Sequence, residues 1–94
     1  MDEATASAMR VWVQACIRCH GQVGRGDGPQ GATTGARDLT QASWQQNTTD
    51  EQIAQTILRG RGLMPPFAID ESTLRALVRL VRQMGSAPGS SDQP

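Results

Sequence analysis

The stretch Cys16-Ile17-Arg18-Cys19-His20 constrains this chain more than any other feature, because it holds both cysteines and the only histidine of the 94 residues. The rest of the chain is poor in aromatic residues, with two tryptophans, one phenylalanine and no tyrosine. Large aromatic side chains normally supply much of the buried area of a core. A bound apolar cofactor would therefore help to complete the core of this single small domain.

Four chemistries fit two cysteines and a histidine at this spacing: a disulfide, a thiol redox pair, a zinc site and covalent haem attachment. A thioredoxin-like redox pair belongs at a strand-to-helix turn in a βαβ unit, and the sequence shows no such unit. A structural zinc site needs a complete tetrahedral set of ligands, which one CxxC and one histidine do not supply. The CxxCH pattern is typical of c-type haem attachment, so the sequence favours that chemistry.

Covalent haem attachment makes a prediction that the other chemistries do not. A simple electron carrier needs a second axial iron ligand, and a methionine thioether is the usual partner of histidine. Met64 lies in a loop directly before Pro65 and Pro66, which restrict the backbone at that point. Met9 and Met84 lie in helical patterns, where a methionine more often fills the core. Met64 is therefore the predicted second ligand.

The pattern of apolar residues predicts an all-α fold with three or four helices and no strands. A first helix covers roughly residues 3–15 and leads into the CxxCH stretch, and residues 38–44 form a short helical turn. The glycines between these segments have no period, which is typical of an irregular loop. Loops of this length in a small domain usually carry function.

Two further helices are predicted from their end signals. Thr48 and Glu51 fit a capping box at the start of the first of them, and Gly60 is placed to end it. The last helix is expected to start at Asp70 as its N-cap and to run to about Met84, with apolar residues along one face.

The segments CIRCHGQVGRGDGP and GLMPPF, followed by the final amphipathic helix, resemble a class I c-type cytochrome of the small bacterial kind. The resemblance extends from about Ala4 to Met84. It implies the cytochrome c fold, with three to four short helices around one covalently attached haem and with the first and last helices crossing. Residues 1–84 are then the haem domain, and residues 85–94 a flexible tail or the stub of a linker.

The resemblance also implies roles for single residues. In that family the two cysteines carry haem c and the histidine binds iron, which assigns these roles to Cys16, Cys19 and His20. A proline after the glycine-rich loop offers its carbonyl to the other imidazole nitrogen, and Pro29 matches that position. Met64 is then the distal ligand. A hydrogen bond from the imidazole nitrogen that does not bind the metal fixes the orientation of a ligating histidine.

Other positions follow from the same comparison. The family packs its first helix on its last through a small residue and an aromatic residue, matched here by Ala8 and Trp12, and we expect aliphatic packing from the last helix. Haem propionates are anionic and need donors. The candidate donors are Arg37, Trp44, Arg59 and Arg61. The competing interpretation is that these arginines are solvated and that Trp44 belongs to the core.

The resemblance implies a monohaem electron carrier between redox partner proteins, and not an enzyme, because two strong axial ligands leave no open site for a substrate. Two alternatives stay open. The chain could be the haem domain of a larger oxidoreductase or oxidase subunit, or a gas sensor or peroxidase with a labile Met64. Covalent haem implies maturation outside the cytoplasm, so we expect a periplasmic or periplasm-facing location. We expect a monomer or a domain of a larger protein.

Charge and hydropathy exclude other partners. The net charge is zero, and the nine cations are arginines scattered along the chain without a run, so the sequence lacks a nucleic-acid footprint. No apolar run approaches the length of a membrane span, and we expect any signal peptide or anchor to lie outside this chain. A neutral surface steers partners weakly. Docking is therefore expected to use an apolar patch of Ile17, Val23, Pro65 and Pro66.

Overall fold

The computed structural model describes residues 1–86, and its regular elements are helical. They are α1 (Glu3–Val11), a π-helical segment (Trp12–Cys16), α2 (Ile17–His20), α3 (Gly31–Thr34), α4 (Ala42–Asn47), α5 (Asp50–Arg59) and α6 (Glu71–Met84). Residues 1–86 contain no strand beyond one isolated bridge between Arg61 and Met64. The predicted all-α class is confirmed. The predicted tail, residues 85–94, lies outside the described residues except for Gly85 and Ser86.

The first helical segment extends further than residue 15, where we predicted its end. After α1 the chain stays helical through the π-helical segment and α2 as far as His20, and Gly21 ends it at a φ of 83°. The backbone N–H of Ile17 donates to the Trp12 carbonyl, which widens the turn. The CxxCH stretch is therefore a continuation of the helix that carries Ala8.

α1 packs across α6, and this is the most extensive contact between two helices in residues 1–86. Ala8 is 1% exposed, and the core that contains it also contains Leu74, Leu77 and Val81 of α6. The predicted crossing with aliphatic packing is confirmed. It joins the helix that leads into the CxxCH stretch to the longest helix of the fold.

α5 begins one residue later than predicted. Its N-cap is Thr49, whose hydroxyl accepts from the Gln52 backbone N–H at 3.1 Å, while Gln52 Oε1 accepts from the Thr49 N–H at 2.8 Å. The predicted pair of Thr48 and Glu51 is wrong because two overlapping pairs in this sequence fit the same capping pattern. Gly60 follows the helix at a φ of 76°, as predicted.

A polar network holds α4 and α5 on α6. Arg82 of α6 donates to Asp50 Oδ1 at 2.7 Å and to the Gln45 carbonyl at 2.7 Å. Gln45 Nε2 in turn donates to the carbonyls of Leu39 and Val81 at 2.8 and 2.9 Å. Since Arg82 is half-buried, these charge-assisted bonds are stronger than exposed ones. They fix the orientation of the shorter helices against the longest one.

α6 begins at Asp70, as predicted. The Asp70 carboxylate accepts from the Thr73 backbone N–H at 2.8 Å and from the Ser72 hydroxyl at 3.2 Å. Hydrogen bonds from Thr73, with a smaller contribution from Ser72, lower the pKa of Asp70 below its usual 3.8. The folded state thus favours the ionised carboxylate. This stabilisation is complete above the unfolded pKa and is lost as the pH falls through the lower folded pKa.

We predict that Asp70→Ala lowers the free energy of unfolding of the holoprotein at neutral pH, and that the difference from wild type shrinks in acid. Asp70→Asn is the matched control, because it keeps an acceptor for Thr73 and removes the charge. Denaturant unfolding at neutral pH and at about pH 3 measures both effects. A difference between Asp70→Ala and wild type that is equal at the two pH values would contradict the assignment.

Candidate functional site

The glycine-rich loop after His20 closes the end of α2 with backbone hydrogen bonds. A helix normally leaves its last four carbonyls without partners, and here each carbonyl of α2 accepts an N–H from the residues that follow. The pairs are Gly21 to Ile17 at 2.9 Å, Gln30 to Arg18 at 2.7 Å, Gly28 to Cys19 at 3.1 Å and Gly26 to His20 at 2.8 Å. The loop therefore folds back onto the CxxCH turn.

Close approach of the two backbones explains why this loop is rich in glycine. A Cβ at Gly28 would lie 2.4 Å from the Ile17 carbonyl oxygen. A Cβ at Gly31 would lie 2.1 Å from the Gly26 oxygen and 2.7 Å from the Cys19 oxygen. Only a residue without a Cβ fits at such positions. The position of the CxxCH turn is thus set by backbone contacts.

A cavity of about 850 Å³ lies between the CxxCH turn and the loop that contains Met64. This volume falls within the range of about 300–1,000 Å³ that is usual for cofactor sites. Cys16, Cys19, His20 and Met64 all line it, although Met64 is far from the others in sequence. Buried apolar residues complete much of its wall, among them Leu39, Ile53, Ile57, Leu77 and Val81.

The imidazole of His20 is oriented by the carbonyl oxygen of Arg37, which lies 3.0 Å from Nδ1. A carbonyl only accepts, so Nδ1 carries the proton and the lone pair of Nε2 is available to a metal. Burial lowers the pKa of His20 although the bond to Arg37 opposes this effect. The neutral form, which is the form that binds metals, is therefore favoured.

Pro29 does not supply the acceptor that we predicted. It lines a separate surface pocket with Ile17 and Arg18. The physical reason is the closure of α2: the loop up to Gln30 is drawn onto the end of the helix by its N–H groups. The imidazole is therefore reached by the chain after α3, at Arg37.

Both cysteines are free thiols and half-buried, so the structure shows no disulfide between them. Burial, and to a lesser extent the neighbouring Cys19, raises the pKa of Cys16 to about 11. The Cys16 thiol is thus protonated at neutral pH and reacts slowly in disulfide exchange, for which the thiolate is the nucleophile.

Met64 closes a tight turn that is fixed at both ends. The N–H of Arg61 donates to the Met64 carbonyl at 3.0 Å, and the N–H of Met64 donates to the Arg61 carbonyl at 2.9 Å. Further along, the Phe67 N–H donates to the Ile57 carbonyl at 3.0 Å. The thioether is thus held on the cavity wall by backbone bonds before and after the two prolines.

Trp12 is a buried aromatic residue of the cavity wall beside His20. It is 6% exposed and lines the cavity, and its ring centroid lies 6.2 Å from that of His20. Its Nε1–H is buried and has no hydrogen-bond partner among the described residues. A neutral imidazole, a thioether, two thiols and a mostly apolar wall fit a haem c that is held by thioether bonds and two axial ligands.

The predicted propionate donors divide into two groups. Arg37, Trp44 and Arg61 line the cavity, whereas the exposed Arg59 at the end of α5 is not part of its wall. Trp44 is half-buried and also packs against the core. Leu63, which was not among the predicted site residues, lines the cavity and is 70% exposed at the tip of the Met64 turn. The sequence signal that could have identified Leu63 is its position directly before Met64 in the same loop.

Crossed terminal helices, a CxxCH turn and a methionine on the same cavity define a c-type cytochrome domain. The chain belongs to the family described as cytochrome c oxidase, cbb3-type, subunit III (Cytochrome_CBB3), whose sequence model matches residues 3–81. It is therefore an electron-transfer domain that binds haem c covalently, as predicted. No helix in residues 1–86 has the length and apolar character needed to cross a membrane.

Two curated relatives and a solved structure are similar to this chain. The cbb3-type cytochrome c oxidase subunit FixP of Bradyrhizobium diazoefficiens is 31% identical over 85% of this chain and 27% of its own length. FixP of Azorhizobium caulinodans is 29% identical over 87% of this chain and 28% of its own length. The chain thus spans about a quarter of these relatives. The solved KustC0563 c-type cytochrome is 35% identical with a TM-score of 0.75, over 82% of this chain and 95% of that one.

We predict that Gly60→Ala destabilises the holoprotein by about 2 kcal/mol or more, because its backbone region costs about 1–3 kcal/mol for other residues. In addition, a Cβ there would lie 2.5 Å from the Met64 carbonyl oxygen. Gly35→Ala is the control, since Gly35 also has a positive φ but has open space around it. It should cost about 1 kcal/mol. Equal losses in denaturant unfolding would contradict a close contact at Met64.

Proposed function

We propose that His20 and Met64 are the two axial iron ligands and that Cys16 and Cys19 form the thioether bonds to haem c. The observation that carries this proposal is a single cavity that brings all four side chains together. The hydrogen bond from Nδ1 to Arg37 leaves Nε2 of His20 as the nitrogen that binds. Within residues 1–86, Met64 is the methionine that lines this cavity.

The residues of the chain have three tasks in electron transfer. His20 and Met64 would hold the iron, and ligation by a histidine and a methionine would favour the reduced state and raise the potential. Buried apolar residues such as Leu39, Ile53 and Leu77 keep water from the site. When bound, haem c supplies a reversible one-electron couple at its iron. The protein contributes binding, orientation and a low-dielectric surrounding.

Arg37, Arg61 and Trp44 are the residues that we propose as partners of the haem propionates. Each lines the cavity and carries an N–H group that suits a carboxylate. Both arginines are exposed, so solvent screens their charges and each contributes modestly. Arg59 lies outside the cavity wall, and we propose no such role for it.

The visible spectrum of the reduced holoprotein with and without carbon monoxide tests the proposed ligand set. We expect no change for wild type, because Met64 fills the sixth position. Met64→Leu should bind carbon monoxide readily, since leucine cannot ligate iron. Met84→Leu is the control, because Met84 is buried outside the cavity wall. Ready binding by wild type would refute Met64 as a firm ligand and favour a gas sensor or peroxidase.

The relatives indicate where such a domain acts. Because they are subunits of cbb3-type oxidases, we propose that this chain is the haem domain of such a subunit. It would deliver electrons to the oxidase from the periplasmic side. The alternative is a separate carrier, which is favoured by the near-complete coverage of the KustC0563 c-type cytochrome. Both assign the same chemistry to the domain.

Docking of a redox partner is proposed at the tip of the Met64 turn. Leu63 is 70% exposed there, and Pro65 and Pro66 beside it are also exposed. Val23 is 50% exposed and Ile17 is half-buried, and these two line the second pocket with Pro29. Leu63 is thus the most exposed large apolar residue of the cavity wall. An apolar tip suits the brief contacts that electron transfer requires.

Oxidation of the reduced holoprotein by membrane vesicles tests docking at Leu63 and electron delivery to a cbb3-type oxidase, which the domain would perform as part of a subunit or as a separate carrier. Vesicles that contain a cbb3-type oxidase should oxidise it, and vesicles without that oxidase should not. Leu63→Glu should slow this oxidation about tenfold, equivalent to about 1.4 kcal/mol of lost docking energy. Val13→Glu is the control, since Val13 is 60% exposed but does not line the cavity. Equal rates for the two variants would refute docking at Leu63, and a lack of oxidation by the vesicles that contain the oxidase would refute electron delivery to it.

A further inference from the structure

The orientation of His20 depends on a carbonyl that belongs to an irregular part of the chain. Arg37, whose oxygen lies 3.0 Å from Nδ1, follows α3 and belongs to no helix. A peptide group in such a segment can rotate unless other bonds hold it. The direction and strength of the histidine bond therefore depend on what fixes the peptide unit between Arg37 and Asp38.

Asp38 and Thr40 fix that peptide unit from its C-terminal side. Asp38 Oδ1 accepts from the Thr40 backbone N–H at 2.9 Å and from the Thr40 hydroxyl at 2.6 Å. An aspartate that binds the backbone two residues further on forms an Asx-turn, which replaces regular structure locally. Thr40 is 2% exposed, so solvent does not compete for these bonds.

The residues on either side of this turn are also fixed. The Ala36 N–H donates to the Gly31 carbonyl at 3.0 Å, and the Leu39 N–H donates to the Gly24 carbonyl at 2.6 Å. The Arg37 carbonyl is thereby held between two anchored residues. The Asx-turn is a contribution to this support that comes from side chains, so substitutions can remove it.

We propose that Asp38 and Thr40 are positioning residues for the axial ligand, acting through the Arg37 carbonyl. The proposal rests on the proposed role of His20 as an iron ligand. A firm hydrogen bond from Nδ1–H increases the electron donation of the imidazole to a metal. Stronger donation stabilises the oxidised iron. Loss of the Asx-turn therefore weakens the histidine bond and raises the reduction potential.

The structure distinguishes the two residues by charge. Asp38→Ala removes both the turn and a negative charge near the site, and loss of a negative charge alone also raises a reduction potential. Thr40→Val removes the hydroxyl donor but keeps the backbone N–H donor to Asp38. It therefore weakens the turn and leaves the charge unchanged, at nearly constant volume. A shift that occurs in both variants therefore reports positioning. Asp38→Asn retains an acceptor for Thr40 and should restore much of the turn.

The experiment measures two quantities on the ¹⁵N-labelled holoprotein: the reduction potential, and the solvent-exchange rate of the His20 Nδ1–H in the reduced state. Asp38→Ala should raise both, Thr40→Val should raise both by less, and Asp38→Asn should bring the exchange rate back toward wild type while the lost charge keeps its potential raised. Thr33→Val is the matched control, because Thr33 is exposed in α3 and does not line the cavity. It should change neither quantity.

The outcomes separate this inference from the function on which it rests. In the oxidised wild type, a large paramagnetic shift of the His20 ring resonances reports iron ligation, and its absence would refute the ligand assignment itself. With that shift present, a wild-type exchange rate in Asp38→Ala and Thr40→Val would overturn the positioning role. A raised potential in Asp38→Ala without faster exchange would show a charge effect only, and would overturn it as well.

Discussion

The closure of the CxxCH helix by the loop that follows it is the interaction on which the rest of the structure depends. Each carbonyl of α2 accepts an N–H from the residues between Gly21 and Gln30. This closure fixes the two thiols and the imidazole as one rigid unit, and it determines where the chain goes next. Because the N–H groups of this loop are bonded to the carbonyls of α2, it is the segment around Arg37 that reaches His20.

The core of the protein is divided between the helix crossing and the cavity. Ala8 and the aliphatic face of α6 pack directly against each other, which secures the helix that carries the thiols. The cavity lies beside this contact and shares Trp12, Leu77 and Val81 with it. A cofactor in this cavity would pack against these shared residues and complete the apolar core of a chain with few aromatic residues.

The sequence predicted the features that depend on local pattern. The helical class, the N-cap at Asp70, the glycine after α5 and the joint presence of His20 and Met64 on one site follow from periodicity, end signals and motif spacing. The acceptor for His20 did not follow, because it is decided by how the loop packs on α2. The position of Arg59 outside the cavity wall did not follow from the sequence either, because it depends on where α5 ends. The prediction of the N-cap of α5 was wrong for a simpler reason, since Thr48 and Glu51 match the same capping pattern as Thr49 and Gln52.

The turn that carries Met64 has a consequence for the speed of electron transfer. Two reciprocal backbone bonds between Arg61 and Met64 close it, and the bond from Phe67 to Ile57 anchors the chain just beyond. In the proposed ligand set, a thioether on such a frame would move little when the charge on the iron changes. The turn would thereby keep the reorganisation energy of electron transfer low.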